Sequence, residues 1–317
     1  MSRVVISARV VILAVFTLAK GALAMDESWP SKPIEITVPY TAGSLSDRNA
    51  RAIAPLLQKE LGVPVIVQNV PGATGYNRVY RAQPDGYTLG TGDPVAQLGL
   101  QQIQPSSFDI LKFTWLGHFS TGNQLLVLSA KSSFTSIDVL KNARMPVRCG
   151  TFDGISTGAM QCVLLARALN FSVAFVNVGG PSELVLAAVR GDVDLASLGP
   201  NLWGDHIKTG SIKPILIWSS ERDLRVSEVP SLKELSLQQF AEITVIRGIF
   251  GPPGLPSDIR DRLLMALNTA VKTPEWSDFV TRGELDHDSY FSADYAKGLS
   301  RAETILKENA ELVRQAF

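Results

Sequence analysis

Lys32–Arg51 reads KPIEITVPYTAGSLSDRNAR, and its periodicity changes halfway along. Ile34, Ile36 and Val38 alternate with polar neighbours, as in a strand with one buried face. Pro39, Ala42 and Gly43 interrupt that pattern, after which Ala50, Ile53, Ala54 and Leu57 recur at helical spacing. A strand, a tight loop and a helix in succession put the backbone N–H groups of Gly43, Ser44, Leu45 and Ser46 at a helix start. There they lack intrahelical partners, and the helix dipole favours negative charge. Such a turn can hold a carboxylate or a phosphate. It can equally be a plain cap, formed by Ser46 or Asp47.

Outward from this stretch, strand and helix patterns alternate. The helix is expected to reach Leu61 and close at Gly62, and Val63–Val67 to form a buried strand. A loop containing Pro71, Gly72 and Gly75 opens another helix. Pro84-Asp85-Gly86 is a turn, and Tyr87–Gly90 a strand that ends at Gly92-Asp93. This alternation predicts an α/β fold with a largely parallel sheet. Further on, the strand Met145–Cys149, the polar loop Gly150–Thr157 and the helix Gly158–Leu169 repeat the opening arrangement. Two α/β units with facing loops are therefore expected, with ligands at the carboxyl ends of the strands. Glu242–Phe250 should carry the chain back to the first unit. Asp258–Thr273 is amphipathic, with Ile259, Leu263, Leu264, Leu267 and Val271 on one face, and Ser292–Gln315 supplies further helices.

A chain of 317 residues accommodates two domains of ordinary size. With 30 basic and 30 acidic residues and no run of like charge, nucleic acid is not an expected partner. Arg3 and Arg9 precede the apolar run Val10–Ala19, and Ala22-Leu23-Ala24 offers small residues at a cleavable spacing. Residues 1–24 are thus expected to be a cleaved signal peptide and the mature chain to start at Met25. Lys20 interrupts the apolar run, and no later segment is long and apolar enough to span a bilayer. Cys149 and Cys162 are expected as two buried thiols, although an oxidising compartment also permits them to pair.

From Trp29 to Phe317 the chain resembles the periplasmic solute-binding proteins of tripartite tricarboxylate transporters, the Bug family. The resemblance rests on SKPIEITVPYTAGSLSDRNAR, LGVPVIVQNVPGATG, the PDGYTL turn, RGDVDLASLGPNLWGDHIKTGSIKPI, EVPSLKEL and GPPGLPSDIRDRLLMALNTAVKTPEW, in that order. It implies a two-domain Venus flytrap fold. Residues 25–130 and 246–317 form one domain and 131–245 the other, with hinges near Ser129–Ser133 and Thr244–Gly248.

The resemblance also implies a periplasmic receptor that closes over a small organic acid or amino acid and passes it to membrane transporter subunits. Carboxylates are then held by one loop per domain. The first loop supplies Tyr40, Ala42, Gly43, Ser44 and Asp47, with Ser44 where a second Gly is usual. The second supplies Thr151, Asp153, Ser156 and Thr157. There Asp153 and Ile155 stand in place of the usual glycines and Ala159 in place of a His, while Asn177-Val178-Gly179-Gly180 departs from the common Pro-Tyr-Lys-Gly. Asp93 adds an acid at the end of the third strand. A close carboxylate pair is costly in low dielectric unless a cation, a proton or water intervenes. A ligand with one carboxylate and an amine, or a largely uncharged one, fits as well as a dicarboxylate; alternatively, Asp93 and Asp153 only cap helices. Arg247 could meet a ligand carboxylate bidentately or pair with a neighbouring acid, and Arg48 is expected in solvent.

No enzymatic activity, metal or cofactor is expected. His118, His206 and His287 are isolated from one another and from metal-ligand spacings, and no G-x-S-x-G elbow or P-loop is present. A monomer is expected. A ligand-sensing or orphan receptor partnering a signalling protein would use the same pocket and is the alternative reading.

Overall fold

A computed structural model describes residues 29–152, 156–283, 285 and 288–316. In chain order the elements are β1 (Ile34–Val38), α1 (Leu45–Leu61), β2 (Val65–Asn69), α2 (Ala73–Tyr80), β3 (Thr88–Gly92), α3 (Pro94–Ile103), β4 (Thr114–Gly122), β5 (Gln124–Ser129), α4 (Ile137–Lys141), β6 (Val147–Phe152) and α5 (Thr157–Leu169). There follow β7 (Val173–Val178), α6 (Pro181–Arg190), β8 (Leu195–Leu198), α7 (Gly204–Lys208), β9 (Ile212–Trp218), β10 (Val245–Gly251), α8 (Ser257–Ala270), α9 (Pro274–Arg282), β11 (Tyr290–Phe291), α10 (Ala296–Glu308) and α11 (Ala310–Ala316). The expected signal peptide and His287 lie outside the described residues.

The strands form two sheets, ordered β11-β4-β10-β3-β1-β2 and β7-β6-β8-β5-β9. Pairings β1–β2, β1–β3, β6–β7 and β6–β8 are parallel, as the alternating pattern predicts. Both sheets are nevertheless mixed. Strand β10 runs antiparallel to β3 and β4, and β5 runs antiparallel to β8 and β9. The antiparallel strands include β4, β5 and β10, the segments by which the chain passes between the sheets. All six residues of β5 are buried, as befits a strand in the interior of the second sheet. The chain therefore changes sheets at Asn123, ahead of the crossing expected at Ser129–Ser133.

Three apolar cores hold this arrangement. In the first unit Ile34, Ile36, Ile53, Leu57, Leu263, Leu267 and Trp276 pack α1, α8 and α9 against one face of the sheet. In the second, Leu184, Ala188, Val193, Trp203 and Ile217 pack α6 and α7 against the sheet. The third core is continuous from one unit to the other: Val95, Leu98, Trp115 and Phe250 join Leu126, Met160, Leu164 and Leu216, with Leu306 and Val313 of the C-terminal helices added. Helix α11 thus packs on both α3 and α5.

The first core fixes the loop after β1. Ser44 caps α1 by accepting from Asp47 N–H, and Gly62 closes the helix at φ 76°. Helix α2 lies so close to the end of β1 that a Cβ at Gly75 would run into the Val70 carbonyl and Pro39.

Cys149 and Cys162 are both fully buried, as expected, but they are bonded to each other. Helix α5 folds back on β6 immediately after one loop, so burial and pairing are not alternatives here. The mature protein, denatured without reductant, should show no reactive thiol. Reduction should lower its unfolding free energy by about 3 kcal/mol, as for a cross-link closing a loop of this length, with urea titration as the readout.

Candidate functional site

A cavity of about 830 Å³ lies between the two units. The first unit lines it with Pro39, Tyr40, Thr41, Ser44 and Leu45, with Pro71–Ala73, and with Tyr76, Gln97 and Gln104–Phe108; Phe152 and Gly179–Pro181 come from the second. Helices α1, α2 and α6 all start at this cavity. Gly72 and Gly180, which precede α2 and α6, have no side chain to cap them. In the first turn of α2 the Gly75 N–H donates to Gly72 O, and in α6 Pro181 has no N–H. The groups without a side-chain cap are those of Ala73, Thr74, Ser182 and Glu183, with the Glu183 carboxyl itself beside Gly180.

Of the residues expected in the first loop, Tyr40 and Ser44 line the cavity, whereas Ala42 and Gly43 are exposed on the loop. Gly43 has φ +83°, which an L side chain rarely adopts. Asp47 is buried behind the loop. Its carboxylate accepts from Gly43 N–H (2.8 Å), Arg51 Nε (3.1 Å) and Asn69 Nδ2 (2.9 Å). With Ser44 accepting from Asp47 N–H, this is a variant of the capping box. Burial pushes the Asp47 carboxyl up, but the hydrogen bonds from Gly43, Arg51 and Asn69 outweigh it and hold the pKa below the usual value. Ser44 N–H is also engaged, by Thr41 O. Two of the four N–H groups expected to face an anion are thus taken up within the loop. Arg48 is exposed, as expected.

Asp93, Thr157, Arg247 and Tyr40 converge at the seam between the units. The Asp93 carboxylate caps α3 by accepting from Val95 and Ala96 N–H. It also accepts from Thr157 Oγ1 of the second unit at 3.0 Å and from Ile246 N–H at 3.5 Å. Tyr40 Oη accepts from Asp93 N–H (3.3 Å) and lies 3.2 Å from Tyr76 Oη. Burial is the largest influence on Asp93 and pushes its pKa up to about 6, opposed by Ala96 N–H, Thr157, the Arg247 charge and Ile246 N–H. Beside it, Ser156 caps α5 through Ala159 N–H and lies 3.4 Å from Thr151 Oγ1. Asp153 lies outside the described residues.

The remaining lining was not singled out from sequence. The only signals were the PGATG loop, read as a helix start, and the unusual Asn177–Gly180. Phe152 falls within the expected second loop, Gly150–Thr157, without being singled out there, and nothing marks Ser106–Phe108 as cavity residues. Both ring nitrogens of His118 are engaged, by Tyr295 Oη and the Asp288 carbonyl. Among the described residues no three His, Cys, Asp or Glu side chains cluster as metal ligands.

A family model described as the tripartite tricarboxylate transporter family receptor matches residues 49–312. A Cupriavidus necator protein named for its position in the gbd 5′ region is 29% identical, over 94% of this chain and 93% of its own. A TctC solute-binding protein from Polaromonas, solved without ligand, superposes with a TM-score of 0.73 at 22% identity, over 90% of this chain and 99% of that one. MatC from Rhodopseudomonas palustris, solved with bound malate, gives 0.71 at 22% identity, over 89% and 99%.

Two outcomes are expected for the acids of the site. Asp47→Ala should remove the acceptor of Gly43 N–H and one of the two acceptors of Asn69 Nδ2, which keeps Tyr40 O, and cost about 2–3 kcal/mol in a urea titration. For Asp93 the sign follows from the raised pKa. Below pH 3.8 both folded and unfolded states are protonated. Between 3.8 and about 6 the folded state holds a proton that the unfolded state has lost, so stability falls as pH rises. The stability of Asp93→Asn relative to the parent should therefore increase by up to about 3 kcal/mol between pH 4 and pH 7.5. An unchanged difference would show that Asp93 is not held at a raised pKa.

Proposed function

This chain belongs to the tripartite tricarboxylate transporter receptor family, and we propose that it is an exported receptor that encloses a small carboxylate-bearing metabolite between its two units and delivers it to membrane transporter subunits. The observation that carries this reading is the cavity between the sheets, with three helix starts at its wall. Partial positive charge at helix N-termini favours an anion without a lysine or arginine in the wall. MatC, of similar fold, holds malate, which is consistent with a carboxylate as the recognised group.

In this reading the two sheets belong to two domains, and the hinges are Asn123 and the approach to Val245. A ligand touching both walls stabilises the closed arrangement over the open one by the difference in its contacts. The receptor has no catalytic role. Export rests on the N-terminal sequence signal; among the described residues no helix is long and apolar enough to cross a membrane.

The test is a thermal-shift screen of the chain from Met25 against mono-, di- and tricarboxylates and amino acids. A ligand at about one hundred times its Kd should stabilise the fold by about 2.7 kcal/mol, a rise of several degrees. Ala73→Asp would place a carboxylate on the cavity wall at the start of α2, whose first turn holds no acid, and should abolish the rise while the circular dichroism stays unchanged. A screen in which no carboxylate raises the melting temperature overturns the reading.

A further inference from the structure

Resting on that reading, we propose that the ligand carries a single carboxylate on an aromatic body, because the protein itself supplies the carboxylate that a diacid would bring to the seam. The first support is the cavity wall. Its described lining holds four aromatic rings, Tyr40, Tyr76, Phe108 and Phe152, and four prolines, with Gln97, Gln104, Ser106 and Ser107 as uncharged polar groups. No described lining residue carries a charge. Tyr76 is buried and stacked on both Phe108 (centroids 5.1 Å apart) and Phe250 (5.9 Å), so the rings open to a ligand are Tyr40 and Phe152, which are half-buried and approach the cavity from different units. A planar ring gains offset-stacked and edge contacts from such walls, and an aliphatic diacid does not. A volume of about 830 Å³ is ample for a substituted aromatic acid.

The second support is Asp93, and it is independent of the wall. Closing a flytrap on a diacid requires donors from the far unit and a compensating charge for the second carboxylate. Here the Thr157 hydroxyl of the far unit, the start of α3 and Ile246 N–H already donate to Asp93, and the Arg247 charge acts on that same carboxylate. Ser156 Oγ accepts from Ala159 N–H in capping α5 and lies 3.4 Å from Thr151 Oγ1. Asp93 is not on the cavity wall but lies next to Tyr40, which is and which accepts from Asp93 N–H, so a second ligand carboxylate at that end of the cavity would approach a like charge whose donors are already engaged. A ring, with its single carboxylate directed to the opposite helix starts, meets neither.

The test is calorimetric titration of the chain from Met25 with 4-hydroxybenzoate and phenylacetate on one side and succinate and adipate on the other. The aromatic monocarboxylates are expected to bind at least about tenfold more tightly. Phe152→Ala should erase most of that preference. Asp93→Asn, which keeps an oxygen to cap α3 but removes the charge, should raise the affinity for succinate or adipate by about tenfold. The ranking with the unmodified protein decides the matter if a variant fails to fold. Tighter binding of succinate or adipate overturns this inference and leaves the carboxylate-receptor reading intact. Absence of binding in both series and in the wider carboxylate screen overturns both.

Discussion

A carboxylate held at the seam between two α/β units is the constraint on which the rest of the architecture turns. Asp93 ends the third strand of the first sheet, starts the helix that faces the second unit, and is hydrogen-bonded by Thr157 from that unit. Removing a carboxylate from water is unfavourable unless donors and charge replace the lost hydration. The donors are supplied by three separate chain segments and the charge by Arg247, so the segments must be brought together for the acid to be tolerated. The raised pKa shows that the compensation is partial. A buried acid whose carboxyl is pushed up by burial and which joins two units is a candidate functional group.

The shared core sets the kind of motion available. Helices α3 and α5 approach closely where Gly99 meets Met160, and α11 lies across both. Pulling the units apart would expose Leu98, Met160 and Val313 together, at roughly 1.5–3 kcal/mol for each large side chain returned to water. A rotation about the crossing strands that keeps this core packed is therefore far less costly than separation. The cavity lies on the side where glycines, prolines and short loops line both walls, so opening there breaks few apolar contacts.

The opening stretch was legible because its periodicity changes from two to 3.6 across a loop with turn chemistry, and β1, α1 and Gly62 fall where that change puts them. The antiparallel strands were not, because β4, β5 and β10 are apolar runs whose direction depends on which sheet they join. The pairing of Cys149 and Cys162 depends on α5 folding back over β6, which spacing alone does not determine. Within the site, Tyr40, Asp93 and Thr157 are brought together from separate segments. Phe108 and Phe152 look like ordinary core aromatics in one dimension, and only the closure of two sheets over them makes them a wall.

The two loops that read most clearly as anion sites already meet acceptors within the protein. Asp47 takes the Gly43 N–H of the first, and Asp93 takes the Thr157 hydroxyl of the second. The helix starts that lack any capping side chain are instead those after Gly72 and Gly180, where glycine removes the group that would otherwise compete with a ligand. A Ser or Asp at either position would cap the helix locally and reduce its call on an external anion. An N-terminus can engage a ligand to the extent that the chain leaves it unsatisfied, and by that measure the glycine-preceded helices are better placed for negative charge than the polar loops. Ser44, Asp47 and Ser156 are engaged within their own loops and helix starts, where they hold the local shape.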